Sequence, residues 1–521
     1  MNSPRTHVII GSRGSELALW QAHFLQNALS SIGYTSEIEI IKTQGDAIQH
    51  LSLEKLEGKG FFTKEIEDAL LEGRVDVAVH SHKDLPTAST LGLMIAAVSH
   101  REDPAELLLI SKDKVDATQP LSLMANAMVG TSSSRRAIQM HLIRPDIALA
   151  DIRGNVPTRI RKLREGQFDA ILLAYAGVHR LQLNLEDLEV IKLDPKQFIP
   201  APAQGVLAFQ CRENDTEMRR ILAQLHQPDV QQTVQVERKV MQLFNGGCHM
   251  PLGVFCHKHD DVYEAWAVRA VDREQAVSRC YMQGTDPEAL ARSLYQRLSN
   301  QQKRSVLFCS TNLSDTISQQ LHAAGLTIDR RSFVRTTQLP LQTKNITADW
   351  LFFTSKSGVQ HFFDQAPILS ASTQIAAYGE ETAVAIRRSG YKVAFTGTGE
   401  AAQTAQNFAP LATGLEVLFA GATYHHPGVR EAVRAYATVQ HISVYENTLV
   451  DQDAPVCDIV VFTSPMQAEG YLRRGSITSG QIVIAIGPST AAWCQAHSIA
   501  QVILPPVPAQ WAIADLICGL P

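Results

Sequence analysis

Along this chain, short apolar runs rich in Val, Ile and Leu alternate with stretches in which apolar residues recur every three or four positions. The first pattern predicts buried strands and the second amphipathic helices. Val8-Ile9-Ile10 reads as a strand, Glu16 to Leu29 as a helix, Thr35 to Ile41 as a strand and Val75 to Val79 as another. The alternation continues to about residue 220 and predicts an α/β architecture. A helix over Val234–Phe244 follows, then strands around Leu252–Val254, Tyr263–Val271 and Ala276–Met282, and a helix over Pro287–Leu298, which together make an α+β module. Ser299 to Arg304 is polar and aperiodic, and marks a boundary. From Val306 a fresh α/β pattern contains near-repeated units. Asp349–Ser355 matches Asp458–Ser464, and Ile375–Ala383 matches Ile484–Ala491, so two similar lobes are expected.

Length changes this picture only by requiring several domains, roughly three to five in 521 residues. A net charge of −5 gives no bulk attraction to nucleic acid or to anionic membrane. No apolar run approaches the roughly 18 residues that span a bilayer. Met1 to His7 lacks a basic stretch leading into an apolar run, so a cytoplasmic location is expected. The eight cysteines are scattered with no C-x-x-C pair, which points to reduced thiols. Cys248-His249 and Cys256-His257-Lys258-His259 have metal-ligating residue types, but their spacing fits no zinc pattern, and no metal is expected.

Five segments carry candidate chemistry. Gly11-Ser12-Arg13-Gly14-Ser15 lies between a strand and a helix, where backbone N–H groups and a guanidinium meet anions. Gly130–Arg136 and Asp151–Arg159 combine hydroxyls with Arg135, Arg136, Arg153 and Arg159, a set that suits carboxylate or phosphate. The alternative for each is a solvated basic surface. His80-Ser81-His82-Lys83-Asp84-Leu85-Pro86 follows a strand, and a carboxylate there lies where open α/β sheets bind ligands; its alternative is a loop ion pair. Asn245-Gly246-Gly247-Cys248-His249-Met250-Pro251 sets a thiol in a glycine loop that can approach a bulky group, against the reading of Cys248 as a buried structural residue.

Taken in order with Lys42–Asp46, Gly58–Glu65, Arg101–Pro104 and Glu237-Arg238, these segments closely resemble the porphobilinogen deaminase (hydroxymethylbilane synthase) family over residues 8 to about 300. The resemblance implies two α/β domains like those of periplasmic binding proteins, plus a small α+β domain that delivers Cys248. It implies a dipyrromethane cofactor held by Cys248 through a thioether. Four porphobilinogen units are then added head to tail, each losing ammonia. Asp84 matches the family's catalytic aspartate. Lys83, Asp84, Ser133, Arg135, Arg136 and Arg153 match cofactor contacts, and Arg13, Arg153, Arg159 and Arg180 are expected to hold substrate carboxylates. The Ala201–Leu207 segment and His82 depart from the family's usual residues.

Residues from about 304 onward resemble uroporphyrinogen III synthase, on the doubled Phe-Thr-Ser units, Phe395–Gly399, Val444-Tyr445-Glu446 and Ile486–Ala491. This implies two α/β lobes joined by a two-stranded connector, and closure of hydroxymethylbilane with inversion of its last ring. Tyr445 is expected to assist departure of the terminal hydroxyl, and Ser464, Ser489 and Thr490 to bind propionates; a structural cap or turn role is the alternative for each. Tyr424-His425-His426-Pro427 departs from the arginine-bearing loop common there. The expected division is 1–104 with 200–220 returning to it, 105–199, 221–302, then 304–338 with 447–521, and 339–446. The expected function is a bifunctional enzyme of tetrapyrrole synthesis acting on porphobilinogen and hydroxymethylbilane, with neither nucleic acid nor membrane as partner. The rival readings are a deaminase with a degenerate C-terminal scaffold and a non-catalytic ligand binder of the periplasmic-binding type.

Overall fold

The computed structural model describes residues 5–43, 63–87, 89–246, 250–270, 277–300, 303–423 and 428–520. Cys248, His249 and the 424–427 segment, and most of the Lys42–Asp46 and Gly58–Glu65 segments, lie outside the described residues.

Two five-stranded sheets share one topology. In the first, the strand order is Thr35–Ile40, His7–Ser12, Val77–Ser81, Leu207–Arg212, Leu93–Val98. In the second it is Ala148–Ala150, Met128–Gly130, Ala170–Ala174, Glu106–Ser111, Leu188–Leu193. Each begins with three parallel strands and ends with two antiparallel pairings. The chain crosses between them twice, at 99–105 and at 194–206. The crossings meet where Glu102 N donates to Gly205 O at 3.0 Å. Gly205 has φ +89°, and a Cβ there would lie 2.2 Å from Glu102 O, so both conformation and contact demand glycine.

The third strand of the first sheet starts at Val77, two residues later than the pattern predicts. The preceding residues serve the turn after helix Lys64–Leu71: Val75 O accepts from Arg212 and Asp76 Oδ2 accepts from Ile9 N at 2.9 Å. An antiparallel meander, Leu252–His259, Val262–Arg269 and Ser278–Gly284, forms the third sheet, packed against helices Pro228–Leu243 and Pro287–Ser299.

The remaining residues form a small two-stranded sheet, Asn345–Ile346 with Ile368–Leu369, and two larger, mainly parallel ones. One has the order Thr327–Arg330, Ser305–Cys309, Ile459–Phe462, Ile482–Ala485, Val502–Ile503. The other has Val334–Gln338, Thr438–Leu449, Glu416–Ala422, Trp350–Phe353, Gln374–Ala377, Phe395–Thr396. Only Val334–Gln338 is antiparallel to its neighbour, and with the end of Thr438–Leu449 it makes the two-stranded connection between lobes. The doubled units are structural twins. Ser355 and Ser464 each end a strand and cap a helix, accepting from Gly358 N at 3.0 Å and Gln467 N at 3.3 Å. Gly379 and Gly487 sit at the equivalent helix starts. The polar boundary at 299–304 does not separate two cores. Val236, Trp266 and Leu294 belong to the same buried cluster as Val306, Ile459 and Ile517.

Candidate functional site

The first candidate site lies where the strands of the two N-terminal sheets end. Strand Val77–Ser81 runs into a short turn, His82–Asp84, that leaves Asp84 exposed and Lys83 half-buried. The turn is held from two sides. His82 N donates to Val206 O at 2.9 Å. Arg238, on helix Pro228–Leu243, donates to His82 O at 2.9 Å and to Pro86 O at 2.6 Å. Lys83 Nζ donates to Gln204 Oε1 at 3.1 Å. Burial lowers the Lys83 ammonium from its ordinary range, Asp84 and Glu106 counter this, and Arg136 and Arg135 add to it.

The facing wall comes from the second sheet. Helix Ser134–Ile143 starts on Ser133, whose hydroxyl caps Arg136 N, and helix Val156–Arg164 starts on Asn155, which caps Thr158 N at 3.0 Å. Both helices follow strands that run side by side and parallel, so two helix N-termini and their loops gather at one edge, a setting that favours anions. Arg135 and Arg136 are buried, and their guanidinia share the carboxylate of Glu106, at 2.6 and 2.7 Å. They also donate to Ile199 O and Leu172 O. Burial would raise Glu106, but the two arginines overcome it and bring the carboxyl down to about 2. These two expected carboxylate ligands are therefore largely engaged within the protein. The exception is Arg136 Nε, buried with no acceptor among the described residues.

Arg153 and Arg159 are half-buried in this wall, and Arg159 Nε donates to Gly154 O at 2.8 Å. Burial pushes the Arg159 guanidinium down to about 10, with Arg136 and Arg153 adding to the shift and Asp84 opposing it. Residues from both walls thus act on one another. Arg13 is half-buried and near enough to His80 to disfavour its protonation. Arg180 is buried at the crossing of the two domains, with its guanidinium donating to Gly205 O at 2.7 Å and lying 5.3 Å from the Trp20 ring centre. That position supports the crossing more directly than it serves a ligand.

The other polar groups of the 80–86 segment have structural places. Burial lowers His80 to about 4 and holds His82 well below its ordinary range, so both are neutral near pH 7. His80 contacts Gln210 at 3.0 Å, and Gln210 donates to Glu67. Cys256 is a core thiol raised by burial. Sequence reasoning gave no role to Glu106, Gln204 or Arg238. Glu106 had a signal: it is a lone acid in the apolar run Ala105–Ile110, and a buried charge needs a partner.

A second candidate site is a cleft of about 780 Å³ between the C-terminal lobes, within the range of small-molecule sites. Tyr445 and Ser464 line it, together with Ser310, Asn312, Ser357 and Trp493. The Tyr445 hydroxyl lies 3.3 Å from Ser355 Oγ, and its ring is 5.4 Å from that of His361. Ser489 is exposed and Thr490 is 2% exposed, and neither is among the cleft's lining residues. The doubled Phe-Thr-Ser units point to Ser464, but the connector and the Ser310–Asn312 turn enter the cleft only through the fold.

Comparison with known proteins finds three family matches. Residues 8–220 match the porphobilinogen deaminase, dipyromethane cofactor binding domain; residues 231–300 match the porphobilinogen deaminase, C-terminal domain; residues 332–515 match uroporphyrinogen-III synthase HemD. The chain is 43% identical over 269 residues to a porphobilinogen deaminase of Syntrophobacter fumaroxidans, covering 51% of this chain and 85% of that protein. It is 40% identical over 303 residues to one from a Roseiflexus species, covering 58% and 98%. Among solved structures, the uroporphyrinogen-III synthetase of Helicobacter pylori aligns with 42% of this chain and all of its own at 19% identity and TM-score 0.34.

The Glu106 cluster yields a stability prediction. Removing one member of a buried ion cluster costs about 3–5 kcal/mol, because the remaining charges lose their partner. Glu106→Gln is expected to lose that much at pH 7 in urea unfolding of the N-terminal domains. Because the folded-state carboxyl is depressed from 4.5 to about 2, its contribution is fully present above the ordinary carboxylate range and lost as pH falls towards 2. The gap between wild type and Glu106→Gln should close over that window. A gap that is small, or constant with pH, would contradict the assignment.

Proposed function

Because the chain belongs to the porphobilinogen deaminase family and carries a uroporphyrinogen-III synthase module behind it, we infer that it is a bifunctional enzyme of tetrapyrrole biosynthesis. The N-terminal domains join four porphobilinogen molecules into hydroxymethylbilane with loss of four ammonia molecules and release by one water. The C-terminal lobes close that product to uroporphyrinogen III. The observation that supports the first activity best is the proximity of Lys83 and Asp84 in one domain to Arg136, Arg153 and Arg159 in the other, near enough to act on one another's charges.

The residues fit an acidic bipyrrole cofactor. Each pyrrole unit bears an acetate and a propionate, and the site gathers Arg136, Arg153 and Arg159, with burial first and the neighbouring cations second in pushing Arg159 down, together with a buried Arg136 Nε that has no acceptor among the described residues. Cys248 would hold the cofactor covalently, with Lys83, Ser133, Arg136 and Arg153 as its neighbours. When bound, dipyrromethane supplies the pyrrole end to which substrate units are added.

The chain's own groups do the rest. Asp84 is fixed by its turn, beside Lys83 and near Arg159. Its carboxylate accepts from substrate pyrrole N–H groups and moves a proton while positive charge develops near it. A preorganised carboxylate beside developing positive charge is an effective form of such stabilisation. Arg13, Arg153 and Arg159 hold the carboxylates, and each guanidinium can do so in a bidentate manner. His80 and His82 take no part in proton transfer, being neutral and buried. Arg135 and Arg136 set the wall's position through Glu106.

In the second cleft, Tyr445 is placed to donate its hydroxyl proton towards a departing hydroxyl, with Ser355 as its hydrogen-bond neighbour. Ser464 and the adjoining helix N-terminus offer donors to propionates. Ser489 and Thr490 are not proposed as ligands. Substrates made in the cell interior, and the absence of a helix among the described residues long and apolar enough to cross a membrane, fit a cytoplasmic enzyme.

Three outcomes test this reading. Intact mass of the purified chain should exceed the sequence mass by one dipyrromethane, and Cys248→Ser should remove the excess; an unmodified wild type that still makes hydroxymethylbilane would refute the attachment. Asp84→Asn should retain the cofactor and lose on the order of a hundredfold or more in porphobilinogen consumption, and near-normal turnover would remove Asp84 from its role. The full chain given hydroxymethylbilane should form mainly the type III isomer, resolved chromatographically after oxidation, and Tyr445→Phe should slow this without abolishing it. Formation of type I alone would leave the C-terminal half as a scaffold.

A further inference from the structure

The C-terminal helix Gln510–Gly519 is apolar on every side. Ala512 to Gly519 are all buried, although a helix on the surface of a free lobe would keep a polar face. One side packs on its own lobe, against helix Asp315–Ala323. The other packs along strand Ser278–Gly284, the edge strand of the sheet in the domain that carries Cys248. The approach is close: a Cβ on Gly519 would lie 2.0 Å from Tyr281 O. Ile513, Ala514 and Ile517 share one core cluster with Val240, Val254, Trp266 and Cys280.

Inside that apolar contact lies a charge. Asp515 is fully buried. Its carboxylate accepts from Arg279 Nε at 3.0 Å and from a terminal nitrogen of Arg279 at 2.8 Å, and also from Gln320 Nε2 at 2.7 Å. Arg279 also donates to Gln197 O at 2.8 Å, in the segment that crosses back from the second sheet. A further bond ties the first synthase lobe to the second N-terminal domain, from Thr316 Oγ1 to Leu142 O on helix Ser134–Ile143 at 3.1 Å. A buried carboxylate is tolerated only when paired and hydrogen-bonded, so Asp515 fits only with its helix seated on Arg279.

We propose that the synthase half is an obligate structural partner of the deaminase half: helix Gln510–Gly519, keyed by Asp515 to Arg279, completes the core of the domain that carries Cys248, so that this domain and the first synthase lobe unfold as one cooperative unit. The inference rests on packing and is independent of the catalytic reading. It assigns the edge strand of a three-stranded sheet, already packed against helices Pro228–Leu243 and Pro287–Ser299, to a helix from the other enzyme as well.

Hydrogen exchange on the full chain tests it. In the wild type, amides of Ser278–Gly284 and of Gln510–Gly519 should exchange through openings of equal free energy, as members of one cooperative unit do. Asp515→Ala should speed exchange in both segments by at least about a hundredfold, since it strands Arg279. It should leave strand His7–Ser12, in a separate core, unchanged. The double variant Arg279→Met with Asp515→Leu should recover most of the protection, because no unpaired charge remains buried. Wild-type opening of the helix more than about tenfold easier than that of the strand, equivalent to about 1.4 kcal/mol, would overturn the proposal. So would an Asp515→Ala effect confined to the helix. If Asp515→Ala fails to fold, the wild-type comparison and the double variant decide the matter.

Discussion

Positive charge must be concentrated at one cleft of a chain whose net charge is −5, and this constraint shapes the N-terminal half. Guanidinia set side by side repel one another and resist burial. The fold meets the cost with Glu106, whose single carboxylate binds Arg135 and Arg136 and is itself fully buried. That cluster ties the start of helix Ser134–Ile143 to the strand that enters the second domain. Arg153 and Arg159 remain closer to solvent, half-buried in the same wall. One acid thus divides the arginines into a group that builds the wall and a group that serves it.

The same logic places the aspartate. Asp84 lies at the end of a strand in one domain, but its turn is pinned by Arg238 from another and by Val206 from the returning crossover. Helix Pro228–Leu243, which carries Arg238, leads towards the Cys248 loop. Three bodies therefore agree on the position of one carboxylate. Preorganisation of this kind explains why Arg101 is bound so firmly to Glu237, at 2.7 Å, behind the same turn.

Much of this was legible in the sequence because local pattern determined it. Strand, loop and helix around Gly11–Ser15, Gly130–Arg136 and Asn155 follow from apolar periodicity and capping residues, and the doubled Phe-Thr-Ser units anticipated twin strand-to-cap turns. Long-range pairing was not legible. Arg135 and Arg136 look like ligand groups until Glu106, distant in sequence, is seen between them. Arg180 looks the same until it is found on Gly205 and Trp20. Thr490 has a polar side chain in a glycine-started helix, but its helical position turns it into the lobe. Charge in a sequence reports what must be neutralised, not what neutralises it.

The polar stretch at 299–304 misled for a related reason. Its composition marks a covalent joint between modules, and a joint of that kind suggests a tether, in which two bodies meet at a rate set by linker length. Contact between the modules is decided elsewhere, by an apolar helix more than 200 residues further along. Once Ile513 and Ile517 share a core with Trp266, the linker sets no effective concentration, because the bodies do not separate in the folded state. The physical consequence is a fixed relation between the deaminase's cysteine-bearing domain and the first synthase lobe. Any movement of that domain during elongation must then carry the lobe with it, or be taken up by the first domain. The first domain has its own core around Val8, Leu25 and Phe209, and meets helix Pro228–Leu243 of the third through polar contacts at Arg238 and Arg101 and through a small apolar cluster of Val98, Val206 and Val234. The apolar contact under helix Gln510–Gly519 belongs to a larger cluster that continues without a break from Val240 and Trp266 to Ile459. Burial of that surface sets rigidity at the junction of the two enzymes.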